Sequence, residues 1–176
     1  MRLVQWGWCN NRPQVHRTMA HASEPGNRTL TIVRRLLLGI LTIGMVGTIA
    51  DLLLLKHYED VWQAPPLVLL SAGLIMAALM WTDPSRTTVR AFVTLMILII
   101  LSGFAGFALH YNGNLEFQRE IDPTQHGWTL FLAVMRAKAP PALAPASMIQ
   151  LGLIGLASVY RHPAFVSSSL TRPIQE

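Results

Sequence analysis

Four long apolar stretches constrain the fold of this chain more than any other feature. They cover residues 36–55, 65–81, 91–109 and 142–160, and Asp51 is the one charged residue within them. Each stretch is close to the ~20 predominantly apolar residues that a helix needs to cross a hydrocarbon core about 30 Å thick. The pattern therefore predicts an all-α integral membrane protein, with four transmembrane helices packed as a bundle.

We divide the chain into three parts on this basis. Residues 31–162 form the predicted four-span membrane domain, and residues 163–176 form a disordered cytoplasmic tail. Residues 1–30 form a flexible basic tail that shows no hydrophobic periodicity. Since this first part has no recognisable signal, an over-extended gene start is also considered, with Met19 as the alternative first residue.

Several local signals predict where the helices begin and end. Trp62 and Trp81 bracket the second span at the spacing expected of tryptophans at the two membrane surfaces. Prolines at 65–66 suit a first helical turn, and residues 83–84, Asp-Pro, predict the N-cap and start of the third helix. The sequence His-Tyr-Asn-Gly-Asn at 110–114 indicates a turn, so we expect the third helix to end there.

A short amphipathic helix is predicted between the third and fourth spans. Trp128, Phe131, Leu132 and Met135 recur at i, i+3, i+4 and i+7, which places them on one helical face. The helix, at about residues 128–138, is too short to cross a bilayer. We therefore expect it to lie in the interface on the outer side of the membrane.

The distribution of basic residues predicts the orientation of the spans. If the spans alternate, ten of the 14 Lys and Arg residues fall on the side of the two termini: Arg2, Arg12, Arg17, Arg28, Arg34, Arg35, Arg86, Arg90, Arg161 and Arg172. The remaining Lys56, Arg119, Arg136 and Lys138 fall on the other side. Because basic loops stay in the cytoplasm, we expect both termini there and the protein in the cell membrane.

Three spans contain pairs of glycines separated by two residues. The pairs are Gly44 and Gly47 in the first span, Gly103 and Gly106 in the third, and Gly152 and Gly155 in the fourth. Small residues on one face allow helix backbones to approach closely in lipid. We therefore interpret all six as helix-packing positions.

Two polar residues continue these glycine faces. Asp51 lies seven residues after Gly44, and His110 lies seven residues after Gly103, so each shares a face with its glycine pair. An acidic residue inside a span is a functional candidate, and a histidine on a facing helix is a suitable partner. We therefore predict an intramembrane pair of Asp51 and His110. It serves either to set helix register or to handle a proton or ligand.

The predicted outer side also collects potential metal or haem ligands. They are His57, His110, His126, Glu59, Glu116 and Glu120. Imidazole and carboxylate groups suit several transition metals, and two histidines on different helices can hold a haem. Their spacing matches no recognised metal motif. We therefore expect no cofactor, and keep a metal or haem site as the alternative.

The sequence excludes several classes of function. It contains no phosphate-binding loop, dinucleotide fingerprint, nucleophile elbow or zinc-protease helix. Cys9 is the only cysteine, which excludes chemistry that needs a cysteine pair. A net charge of +5 would suggest nucleic-acid binding in a soluble protein, but here it follows the membrane topology. We therefore expect no nucleic-acid partner.

These observations predict a non-enzymatic accessory or scaffold subunit of a larger membrane assembly. Its expected partners are the lipid bilayer and either other membrane subunits or further copies of itself. A membrane redox or metal-binding protein that uses the outer histidines is the first alternative. A small proton-coupled transporter that uses Asp51 is the second.

Overall fold

The computed structural model describes residues 25–56, 58–59, 61–137 and 143–166, and the regular secondary structure within these ranges is all helical. The helices are α1 (Pro25–Leu54), α2 (Ala64–Thr82), α3 (Arg86–Ile121), α4 (Gly127–Met135), α5 (Leu143–Ser158) and α6 (Pro163–Val166). A 3-10 turn, Val61–Gln63, precedes α2. Residues 1–24 and 167–176, which carry most of the two predicted tails, lie outside the described ranges.

In the described part of the chain, three helices are long and apolar enough to cross a membrane, namely α1 over Arg28–Leu54, α2 and α3. Helix α5 is also apolar but has 16 residues. At 1.5 Å per residue it extends about 24 Å, which is less than the ~30 Å hydrocarbon core. The predicted fourth span, 142–160, therefore forms a helix that is shorter than expected.

The long helices pack with their sequence neighbours. Helix α2 contacts α1 and α3, and α5 contacts the same two helices, so α1 and α3 lie diagonally opposite each other. Their shared core contains Leu41, Met45, Leu70, Phe92 and Met96, all fully buried. We call one end of this group of helices the Arg34 end, where α1 and α3 begin, and the other the Gln63 end.

Glycine allows α3 and α5 to approach closely. A Cβ atom on Gly103 would lie 2.8 Å from the carbonyl oxygen of Pro145, and one on Gly152 would lie 2.8 Å from that of Met96. Both obstacles are backbone atoms of the facing helix, so a side-chain rotation cannot remove them. Any larger residue at these two positions must move the helices apart.

The other four predicted packing glycines have different surroundings. Cβ atoms on Gly44 and Gly155 would meet flexible side chains of Leu151 and Met96, respectively. A Cβ atom on Gly106 would make ordinary contact with Pro145, at 3.6 Å. A Cβ atom on Gly47 would have no atom of another described helix within 4 Å, so this position is open.

Helix α3 is longer than the sequence predicts. The expected turn at 110–114 is wrong, because the helix continues through these residues to Ile121. The extension packs against α4, where the rings of Tyr111 and Phe131 lie 6.3 Å apart. Tertiary packing of this kind overrides the ~1 kcal/mol helix penalty of glycine.

The chain instead turns after α3 at an Asp-Pro-Thr sequence. Pro123 cannot continue a helix and disfavours helical geometry in Asp122. The carboxylate oxygen Oδ1 of Asp122 accepts hydrogen bonds from the hydroxyl of Thr124, at 2.6 Å, and from its backbone N–H, at 3.0 Å. These two bonds lower the pKa of Asp122, so the carboxylate stays ionised and holds the turn.

The start of α3 differs by two residues from the prediction. Ser85 is the N-cap, and its hydroxyl oxygen accepts a hydrogen bond of 3.2 Å from the backbone N–H of Thr88. Asp83 instead follows the end of α2, where it is the C-cap. Both residue types are good N-caps, so the sequence alone does not distinguish them.

Helix α4 occupies most of the region predicted to be amphipathic. Its buried residues are Leu130 and Val134, rather than the predicted stripe. Two members of that stripe, Trp128 and Phe131, stack on each other with ring centroids 5.0 Å apart. Phe131 also contacts Tyr111, so α4 rests on the extension of α3 through aromatic side chains.

Candidate functional site

A cavity of about 320 Å³ lies among the helices near the Gln63 end. Its lining residues come from four helices and from the turn before α2: Thr48, Leu52, Gln63, Pro66, Ser102, Gly103, Gly106, Leu109, His110, Ala144, Pro145 and Met148. We call this space the Gln63 cavity. Its position between helices is one where ligand sites commonly occur in helical proteins.

Small residues create the Gln63 cavity. Helix α3 presents Gly103 and Gly106 to it, and α5 presents Ala144 and Pro145 from its first turn. A proline is tolerated in a first turn, where its missing N–H has no helical partner to lose. Farther along the same two helices, large buried side chains such as Met96 fill the equivalent space.

The lining of the cavity is mostly apolar, with a small number of polar groups. The hydroxyl of Thr48 donates to the carbonyl oxygen of Gly44 at 2.9 Å, so its proton is used within α1. The amide oxygen Oε1 of Gln63 is buried and has no hydrogen-bond partner among the residues that the structure describes. A buried acceptor without a hydrogen bond lowers the stability of the fold by about 1–3 kcal/mol. A hydrogen-bond donor on a bound molecule would remove this penalty.

Asp51 and His110 lie in different surroundings. His110 is half-buried and lines the Gln63 cavity, whereas Asp51 is exposed on α1 and is not among the lining residues. The residue after Asp51, Leu52, is buried and does line the cavity. Asp51 therefore points away from the space that His110 borders, and the two helices that carry them are diagonal to each other.

The potential metal ligands are spread over separate elements. His126 is the N-cap residue of α4, and Glu59, Glu116 and Glu120 are exposed. His57 lies outside the described residues. Within the described part of the chain, no group of three or more His, Cys, Asp or Glu side chains could hold a metal ion.

Sequence reasoning missed Gln63, Ser102 and Thr48 as lining residues of the cavity. The sequence does contain a signal for two of them: Thr48 directly follows Gly47, and Ser102 directly precedes Gly103. Hydroxyl residues beside small-residue positions are frequent at helix interfaces in membranes. Gln63 stands immediately before the Ala-Pro-Pro start of α2.

Comparison of the chain with protein-family models, with curated proteins and with solved structures finds no match.

Proposed function

We propose that this chain is a non-enzymatic accessory subunit of a larger membrane assembly, and that it holds a small, mostly apolar molecule in the Gln63 cavity. The molecule carries one hydrogen-bond donor, such as a hydroxyl group. The observation that carries this proposal is the cavity itself, whose mostly apolar lining includes Gln63, a residue with a buried amide oxygen that has no partner among the described residues. In such sites, apolar walls supply affinity and a few polar groups supply orientation.

The dimensions and lining of the cavity support this class of ligand. Its volume of about 320 Å³ is at the lower end of the range that is usual for small-molecule sites. Leu52, Leu109 and Met148 provide the apolar contacts. Gln63 Oε1 is an acceptor, so the matching group on the ligand is a donor.

A pair of probes that differ by one hydroxyl tests the proposal. We expect 4-propylphenol to raise the thermal unfolding midpoint of the purified full chain in an uncharged detergent. Propylbenzene, which lacks the donor, should raise it less. Gln63→Leu should remove the difference between the two probes, because it removes the acceptor.

Filling the cavity provides the second arm of this test. Gly106→Leu places a side chain in the cavity, and its Cβ atom would make only ordinary contact with Pro145. This variant should no longer respond to 4-propylphenol. Gly113→Leu is the matched control, since Gly113 lies on the same helix with nothing within 4 Å. An equal response to the probe in both variants would contradict binding in the cavity.

We further propose that α5 completes a four-span bundle with both termini in the cytoplasm. The support is that α5 packs between α1 and α3, and that the basic residues are concentrated at the Arg34 end. Single cysteines in a Cys9→Ser background test the topology in intact cells. A cysteine at Glu116 should react with an impermeant thiol reagent, and one at Thr87 should not. The reverse labelling pattern would exclude this orientation.

The exposed face of α1 that carries Gly47 and Asp51 supports the accessory role. Gly47 has open space around it, and Asp51 is exposed four residues later on the same helix. A small residue and an acid near each other on an exposed membrane helix suit contact with another helix. Mild extraction from native membranes should recover partner subunits with the wild-type chain, and fewer with Gly47→Leu. Recovery of the chain as a monomer in both cases would contradict the role.

The metal and transporter hypotheses gain no comparable support from the described residues. His110 and His126 lie on different elements, without further ligands grouped around them. Asp51 does not line the Gln63 cavity. An absorption spectrum, a metal analysis and an ion-flux assay on the purified protein would test these two alternatives.

A further inference from the structure

A second cavity, of about 220 Å³, lies at the Arg34 end. It is lined by Thr31, Arg34, Arg35, Leu38, Met80, Trp81, Pro84, Ser158, His162 and Pro163. We call it the Arg34 cavity. It joins the start of the apolar part of α1, the end of α2 and the segment that follows α5, so it lies at one end of the candidate membrane spans.

The charge of the Arg34 cavity is positive. Two arginines line it, and none of the described residues in the lining is acidic. Among the residues that the structure describes, neither Arg34 nor Arg35 forms an ion pair with a carboxylate. Asp83, which lies beside the lining residue Pro84, is exposed and is not itself part of the lining.

His162 contributes a hydrogen-bond donor rather than a charge. Its Nδ1 atom accepts a hydrogen bond of 3.3 Å from the backbone N–H of Ala164, so the proton of the neutral ring lies on Nε2. Burial and the nearby charge of Arg34 lower the pKa of His162, which keeps the ring neutral. The cavity therefore combines two cationic groups with a neutral N–H donor.

The opposite side of the cavity is apolar. Leu38 is buried, and Met80 and Trp81 belong to the last turn of α2. Tryptophan is enriched at the level of lipid headgroups, and basic pockets between membrane helices recognise anionic headgroups. A ligand that satisfies both sides has an anionic group joined to hydrocarbon.

We propose that the Arg34 cavity binds a phosphate group, and that its apolar side favours an anionic phospholipid as the source of that phosphate. Arg35 and the His162 Nε2–H contact the phosphate oxygens, and the acyl region lies against Leu38 and Trp81. Arg34 provides positive charge from a fixed position, because it also donates hydrogen bonds to the backbone carbonyl oxygens of Tyr160 and Arg161. A free phosphate would use the arginines but not the apolar side.

Native mass spectrometry of the full chain in an uncharged detergent tests this site with four probes. The probes are phosphatidylglycerol, phosphatidylcholine, glycerol 3-phosphate and inorganic phosphate. We expect phosphatidylglycerol to bind more tightly than each of the others. Arg35→Gln should weaken its binding about fivefold, since one basic residue near anionic lipid contributes about 1 kcal/mol.

Matched variants separate specific binding from general attraction. Arg28→Gln removes the same charge from the same helix, seven residues earlier and outside the cavity, so it should leave the affinity nearly unchanged. Trp81→Ala should weaken phosphatidylglycerol binding but not glycerol 3-phosphate binding. Arg34 is left intact in these variants because its loss would also disturb the end of α5.

Three results would overturn the proposal in distinguishable ways. Equal affinity for phosphatidylcholine and phosphatidylglycerol would exclude recognition of the anionic headgroup. An equal loss of phosphatidylglycerol affinity in Arg28→Gln and Arg35→Gln would show that the binding is non-specific electrostatic attraction. Equal affinity for glycerol 3-phosphate and phosphatidylglycerol, unchanged in Trp81→Ala, would exclude the lipid and make free phosphate the ligand.

Discussion

The Nε–H group of Arg34 donates a hydrogen bond of 3.1 Å to the backbone carbonyl oxygen of Tyr160, and its Nη2–H group donates a second bond of 2.8 Å to the same oxygen. The two residues are 126 positions apart in sequence. Tyr160 lies in the turn that directly follows α5, which ends at Ser158. A charged donor makes a stronger hydrogen bond than a neutral one, so Arg34 joins α1 firmly to this turn.

Replacement of Arg34 should destabilise the protein. We expect Arg34→Gln to lower the free energy of unfolding by about 1–2 kcal/mol, because the carbonyl groups of Tyr160 and Arg161, in the turn after α5, lose a charged donor. Arg34→Lys should recover only part of this loss, since one ammonium group cannot reproduce the two-armed contact. Denaturant unfolding in lipid-free detergent measures the effect. Arg35→Gln is the control, and an equal loss there would mean that charge alone matters.

Two glycines of the same sequence motif should respond oppositely to alanine. Gly152→Ala should cost about 1–3 kcal/mol of stability, since its Cβ atom meets the Met96 carbonyl oxygen of the facing helix. Gly47→Ala should be neutral or slightly stabilising, because its surroundings are open and alanine is the better helix former. Thermal unfolding of both variants in one detergent provides the comparison. Similar losses would contradict the packing described for α3 and α5.

The effects of Asp51→Asn and His110→Ala on stability should simply add. Asp51 is exposed, whereas His110 borders the Gln63 cavity, and the helices that carry them are diagonal to each other. Residues without a shared contact usually show additive changes, within about 0.3–0.5 kcal/mol. A double-mutant cycle in detergent measures the coupling. Coupling clearly above that range would restore the pair that the sequence predicts.

His162 should make stability depend on pH in the acidic range. Its pKa in the folded protein is below the ordinary value of 6.5, so the unfolded chain binds a proton more readily. Stability should therefore fall as the pH decreases from 6.5 towards the lowered pKa. The same unfolding measurement at several pH values should give a flatter profile for His162→Gln. Identical profiles would show that His162 does not contribute.

Some helix boundaries predicted from the sequence agree with the structure and others do not, and the physical reason differs from one boundary to the next. The helix start that includes Pro65 and Pro66 agrees with the structure, because the fixed backbone of proline is a local property. The turn expected at Asn112–Asn114 is absent, because contact between Tyr111 and Phe131 maintains the helix there. Local propensity decides a boundary only where no tertiary contact opposes it.

The candidate sites depended even more on tertiary structure. The spacing of Gly44, Gly47 and Asp51 defines one helical face, but it cannot tell whether that face meets another helix or lies open. In the folded chain α1 and α3 are diagonal, and His110 lines the Gln63 cavity whereas Asp51 does not. Gln63 and Ser102, which are distant in sequence, instead border the same cavity.

The sequence by itself determined that this is a helical protein with long apolar segments suited to a membrane, because hydrophobic length and periodicity are properties of the chain alone. Only the tertiary structure decided which helices are neighbours, which glycines are covered and where space is left between side chains. These features depend on contacts between residues far apart in sequence, and no local pattern encodes them. The Gln63 and Arg34 cavities are both of this second kind.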